Sequence, residues 1–198
     1  FQMGNTGKYS PYYKEDEDEF PVHSVTITKP FYMGKYEVTN RQWEAVMGPQ
    51  NNHFQTNYSV RPVESNWLKA IEFCNKLSEK DGLTKCYTID NDTVICDWNA
   101  NGWRLPTEAE WEYACKAGTT TDFYNGDIGK NWSYDKNLDK IAWYSTYPLR
   151  AVGLKEPNAF GLYDMLGNLS EWCWDYYGEY NEDPVIDKRC NLLPRPCV

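Results

Sequence analysis

Asn168 and Glu171 lie three residues apart around a turn marked by Gly167, in a stretch running from Asn158 to Asp175 with the sequence NAFGLYDMLGNLSEWCWD. An amide and a carboxylate at that spacing can turn their oxygens toward one point. With one or two main-chain carbonyls added they make an oxygen-only site, which suits a hard cation such as calcium. The same two residues also have a structural use. Asparagine can hold a left-handed turn, and a glutamate can accept backbone N–H bonds. Gly161 and Gly167 mark places where the backbone turns sharply or passes close to another segment.

The other residues able to carry chemistry offer less. Seven cysteines are present (Cys74, Cys86, Cys96, Cys115, Cys173, Cys190 and Cys197), and none forms a Cys-x-x-Cys pair. The usual zinc-ribbon and thioredoxin signatures are therefore absent. Cys74, Cys115 and Cys173 fall on apolar faces and read as small buried hydrophobes. Cys86 and Cys96 flank a predicted hairpin, a placement that would let them pair. Cys190 and Cys197 sit in a Pro-rich tail, where paired thiolates could bind a soft ion such as Cu(I) but have no supporting motif. With only His23 and His53, a His-rich metal site is excluded, and His53 reads as a loop residue.

Local signals position these residues on short elements. Val25 and Ile27 alternate with Thr26 and Thr28, as in a half-buried strand, with Phe1–Gly4 a second strand and Phe31–Glu37 a further extended piece. Thr39 with Gln42, and Thr107 with Glu110, are capping boxes that open helices; Gly48-Pro49 and Gly118 close them. Ser65 is the expected cap of a helix carrying Trp67, Ala70, Ile71, Cys74 and Leu77 on one stripe and ending at Gly82. Glu108, Glu110 and Glu112 then read as first-turn helix residues rather than a catalytic cluster. Cys86–Ile89 and Thr93–Cys96 form a predicted hairpin around Asp90-Asn91-Asp92. Thr119–Arg150 has no clean period and reads as a long, aromatic-rich excursion, the kind of loop that is functional or disordered.

Lys and Arg number 20 against 29 Asp and Glu, a formal charge of −9, which argues against nucleic-acid binding. The acidic run Lys14–Glu19 reads as a solvated loop. No apolar run reaches membrane-spanning length. The chain opens at Phe1 in what reads as a strand, so a removed leader and an exported or cell-surface location are the expectation.

Three motifs in order resemble the formylglycine-generating enzyme (sulfatase-modifying factor) family: Gly34-Lys35-Tyr36-Glu37-Val38-Thr39-Asn40, the run from Gly102 to Ala114 (GWRLPTEAEWEYA), and the Asn158–Asp175 stretch. The resemblance covers Phe1 to Tyr177. It implies an α+β fold similar to the C-type lectin fold, compact and low in regularity, with a small antiparallel sheet, about three helices and long ordered loops. Residues 1–180 would form that domain and 181–198 an irregular, loosely attached tail. The family assigns calcium to the side-chain oxygens matching Asn168 and Glu171, with the carbonyls of Gly167 and Leu169 assisting, and places a second calcium site within Thr119–Gly153. Family enzymes oxidise a sulfatase cysteine using oxygen and copper held by two cysteines. Those lie beyond a Gly-Gly-Ser-Trp-like segment and beside Arg-rich motifs that this sequence does not contain. The expectation is thus a calcium-stabilised binding or scaffold module for an unknown protein or small-molecule ligand, with no catalytic residues identified. A copper-dependent oxidase whose catalytic C-terminus is missing is the alternative, and a surface-displayed, lectin-like variable receptor a third. Glu156-Pro157-Asn158 matches a sugar-binding tripeptide of C-type lectins, but here reads as a turn.

Overall fold

The computed structural model describes residues 1–4, 19–50, 57–91, 93–129, 134–145 and 147–189. His53, most of the acidic run, Cys190 and Cys197 fall outside them. The chain forms two compact units, one built from Phe1–Tyr36, Pro106–Thr146 and Gly153–Val198, the other from Glu37–Leu105 and Tyr147–Val152.

In the first unit, β1 (Gln2–Met3) pairs antiparallel with β2 (His23–Thr26), matching Met3 to His23. The strand from Val185 to Ile186, labelled β5 below, runs parallel to β2 on its other edge, with Val25 opposite Val185. The sheet is therefore mixed, not wholly antiparallel, and part of the supposedly loose tail is seated in it. Period-2 alternation turns His23 and Val25 inward, and Val25, Met3 and Ala109 form one small core with Phe1 and Tyr180 against it.

Ala109 belongs to the helix Glu108–Lys116, opened by the expected capping box between Thr107 and Glu110. The same helix buries Ala114 and Cys115 against Leu162 and Met165, with Trp111, Tyr124 and Met33 packed around them. A single helix thus serves two apolar clusters. It ends with Ala117 and Gly118 both at positive φ.

The aromatic-rich excursion is not wholly irregular. It holds a short helix, Lys136–Ile141, which the sequence reading missed. Its cap is Asp135, whose carboxylate accepts the Asn137 and Leu138 N–H groups and a third from Gly129. Phe31–Glu37, read as extended, forms no strand.

The second unit holds α1 (Asn40–Met47), α2 (Trp67–Lys80), and the hairpin β3 (Tyr87–Asp90) and β4 (Thr93–Cys96). The remaining helices, Glu108–Lys116 and Lys136–Ile141, are α3 and α4. Thr39 and Gln42 form the expected box on α1, whereas α2 is capped by Asn66, not Ser65. Trp43 and Phe73 stack face to face at 5.0 Å. The buried amide of Asn40 donates to the carbonyls of Tyr58, Arg61 and Pro62, tying the following loop to α1.

Cys86 and Cys96 are free thiols. The register places Cys96 opposite Tyr87 and bonds Asp97 to Cys86, so the two sulfurs project to opposite hairpin faces. Cys74 and Cys115 are buried, as expected, and burial pushes each thiol up to about 12, leaving it unreactive. Cys173 is only partly buried.

Candidate functional site

Each end of the Asn158–Asp175 stretch is fastened to one end of α3. At the C-terminal end of that helix, the Asn158 side chain donates to the last-turn carbonyls of Ala114 (2.7 Å) and Cys115 (3.2 Å). Its own oxygen accepts the Phe160 and Leu162 N–H groups. All its bonding capacity goes into that cap and into the turn Asn158–Gly161, which starts at the last residue of Glu156-Pro157-Asn158 rather than lying within the tripeptide. At the N-terminal end, Trp174 N–H donates to Pro106 O, and the buried Asp175 carboxylate accepts the Glu108 N–H at 2.6 Å. Asp175 thereby satisfies an orphan first-turn donor of α3 and sits where the helix dipole favours an anion.

Between those anchors the Trp111 indole N–H donates to Glu171 at 2.5 Å. The stretch accordingly lies along α3 and antiparallel to it. Among the described residues the Glu171 carboxylate accepts this indole N–H and no backbone N–H, so it is not the backbone cap that its spacing also allowed.

Asn168 does hold a left-handed turn, at φ 62°, after Gly167 at φ 82°. Its N–H donates to Trp143 O at 2.8 Å, and Gly167 forms a parallel bridge to Trp143. The stretch therefore crosses the segment that follows α4 at backbone-to-backbone distance, as the glycine implied. Over the Trp143 ring stands the Lys155 ammonium, 4.0 Å from the centroid.

One acidic residue was not singled out from the sequence. Asp164, four positions before Asn168, is 2% exposed and adopts φ 57°. Its Oδ2 accepts the Gly153 N–H at 2.6 Å, while Oδ1 is buried without a hydrogen-bond partner among the described residues. Burial raises the Asp164 carboxyl; the Gly153 bond opposes this. Glu171 is raised too, first by burial and further by the Asp164 charge, with the Trp111 bond acting the other way. The two negative charges thus act on each other, with Asp164 buried and Glu171 half-buried, and neither has an ion-pair partner among the described residues. The sequence signal for Asp164 was weak, since a lone Asp between Tyr and Met reads equally as a turn.

Beside the Asp175 anchor, Glu108 accepts the Tyr180 hydroxyl at 2.9 Å. Burial raises the Glu108 carboxyl; the Tyr180 bond and Lys188 lower it, and Asp175 and Glu112 raise it further. A carboxyl raised on folding takes up its proton at higher pH in the native state than in the unfolded chain. Its cost is in full force above the native pKa and fades as pH falls toward the unfolded value. Glu108→Gln keeps the acceptor for Tyr180, so it is expected to stabilise the protein by about 1 kcal/mol at pH 7 and by nothing near pH 4. Urea melts at the two pH values check this; an equal effect at both would refute it.

Over residues 1–193 the chain matches the family described as the sulfatase-modifying factor enzyme 1-like domain. It is 39% identical over 241 residues to the formylglycine-generating enzyme of Mycobacterium tuberculosis, covering 96% of this chain and 76% of that protein. To the chaperone protein LppX of Paenibacillus barcinonensis it is 36% identical over 201 residues, covering 83% and 69%. Among solved structures, Treponema denticola variable protein 1 matches with a TM-score of 0.74 at 32% identity, over 93% of this chain and 73% of that one. These likenesses bear out both the expected family and the expected fold. No described helix is long and apolar enough to cross a membrane.

Proposed function

The chain belongs to the sulfatase-modifying factor enzyme 1-like family, and from that premise we propose that it acts as a binding or scaffold module stabilised by calcium. Asn168 and Glu171 would supply side-chain oxygens to the ion and Gly167 and Leu169 their carbonyls. The observation that carries this reading is the buried Asp164 carboxylate, whose Oδ1 has no hydrogen-bond partner among the described residues, together with the half-buried Glu171, whose carboxyl the Asp164 charge raises, in a motif of oxygen donors. Ionised carboxylates withdrawn from water are costly unless a cation accompanies them. A hard divalent ion supplies that charge and accepts an all-oxygen ligand set, so the residues present fit it. Bound there, it would tie the Gly167–Glu171 turn to α3 and to the Trp143 segment, holding rigid the irregular backbone that displays a binding surface.

A melt in excess chelator against one in millimolar calcium tests the reading. At a hundredfold excess over its dissociation constant, calcium contributes about 2.7 kcal/mol, which for a chain of this size raises Tm by roughly 5–10 °C. Glu171→Gln should abolish most of that response. Identical melts with and without calcium would sink the proposal.

A second reading is favoured by the 39% identity to the Mycobacterium tuberculosis enzyme. In it the chain contributes to formylglycine-type oxidation of a sulfatase cysteine, with copper as the added cofactor. The two cysteines considered for that ion, Cys190 and Cys197, lie outside the described residues. Mass spectrometry of a cysteine-bearing sulfatase peptide incubated with the protein and copper decides it: formylglycine supports oxidation, and an unmodified peptide favours the binding module. The third reading, a variable receptor, draws its support from the likeness to Treponema denticola variable protein 1.

A further inference from the structure

We infer that a cleft between the start of α1 and the loop it anchors binds a small free amino acid, holding it by its ammonium group. The inference is independent of the calcium reading. Every residue it uses lies in the second unit, whereas Asp164 and Glu171 lie in the first.

Asn40, Arg61, Glu64 and Tyr147 line the cleft, and about 80 Å³ of it is open to the centre of a water molecule. One water needs roughly 10–15 Å³ by that measure, so the space takes about six water-sized groups. That is the heavy-atom count of alanine.

The polar atoms around the cleft set its chemistry. Asn40 is 7% exposed, and its amide nitrogen donates to Tyr58 O at 3.1 Å and to Arg61 O and Pro62 O at 3.2 Å. Carbonyls can only accept, so the nitrogen is fixed on the loop and Oδ1 is left on the other side of the amide. That oxygen accepts no hydrogen bond among the described residues. A largely buried acceptor left unmet is costly, and a donor bound in the cleft removes the cost.

Water is a donor too, so the neighbouring charge decides the ligand. Glu64 makes no hydrogen bond or ion pair among the described residues. Its carboxylate attracts a cation, and a charge-assisted bond is stronger than one to water. An ammonium carries three N–H donors, enough for the Asn40 oxygen and the Glu64 carboxylate together. The Tyr147 ring, 84% exposed, offers its face to the same charge. Arg61 keeps other contacts of its own, yet its presence disfavours a ligand that is only positive and suits one that also carries a carboxylate. A zwitterion of alanine size meets all of these conditions.

Saturation-transfer NMR of L-alanine with the full chain at pH 7 tests the site. Propionate is the same molecule without the ammonium, and ethylamine is the same without the carboxylate. We expect saturable binding of alanine, weaker binding of ethylamine, and propionate weaker than alanine by about tenfold or more, the loss of one charged contact. Asn40 holds its loop, so the variants leave it in place. Glu64→Gln removes the charge from a side chain that holds no other group, and should weaken alanine binding about tenfold without unfolding the protein. Glu72→Gln removes an equal charge from α2, where Glu72 pairs with Lys69, and should leave binding unchanged. No saturable binding of alanine, propionate bound as tightly as alanine, or equal weakening in Glu64→Gln and Glu72→Gln would each overturn the inference.

Discussion

Gly167→Ala is expected to lower stability by about 3–5 kcal/mol, more than a left-handed φ alone accounts for. A Cβ at Gly167 would stand 2.3 Å from the Trp143 carbonyl oxygen, 2.9 Å from its carbon and 3.0 Å from its nitrogen. All three are backbone atoms, so no side chain can swing aside. The crossing must open, and the 2.8 Å bond from Asn168 N–H to Trp143 O goes with it. Gly161 provides the control within the same stretch. Its φ of 77° is similar, yet nothing lies within 4 Å of a built Cβ. Gly161→Ala should therefore cost only the left-handed strain, about 1–2 kcal/mol. Urea midpoints of the two variants separate the causes; equal losses would mean that the Trp143 crossing contributes nothing.

Asn158→Asp is expected to cost about 4 kcal/mol at neutral pH. The Asn158 amide is 5% exposed, with its nitrogen facing two helix-end carbonyls and its oxygen facing two N–H groups. Only one orientation of the amide satisfies all four. The aspartate retains both acceptor contacts but sets a buried negative oxygen against the Ala114 and Cys115 carbonyls. Both the lost donors and the new repulsion lie at the negative end of α3, where an anion is least welcome. Asn158→Leu removes the polar group without adding charge and should cost less. Because the damage in Asn158→Asp is electrostatic, its loss should shrink on acidification, whereas that of Asn158→Leu should not. Thermal melts of both variants at pH 7 and pH 4 check the pair; an aspartate variant no worse than leucine would contradict the assignment of the amide.

Much of the molecule was legible before folding. Thr39, Gln42, Thr107 and Glu110 announce their helices because a capping box is a contact within four residues. Gly48, Gly82 and Gly118 mark helix ends, and Asp90-Asn91-Asp92 marks the hairpin. Ser65 and Asn66 were harder to tell apart. Both can cap, and the choice depends on which backbone enters the helix. The short helix at Lys136 escaped because its Asp135 cap is followed by too few apolar residues to set a period.

Local chemistry thus determined the helices, the hairpin, the turn at Gly167-Asn168 and the motifs that mark the family. Each of these rests on bonds between near neighbours in sequence. Tertiary structure alone decided that Asn158 and Asp175 fasten one stretch along α3, that the Asp164 and Glu171 charges act on each other with no ion-pair partner among the described residues, and that Val185–Ile186 lies beside β2. Those contacts join residues from 7 to more than 150 positions apart. Whether such partners meet depends on the path of all the chain between them, and no propensity, period or spacing within a short window records it.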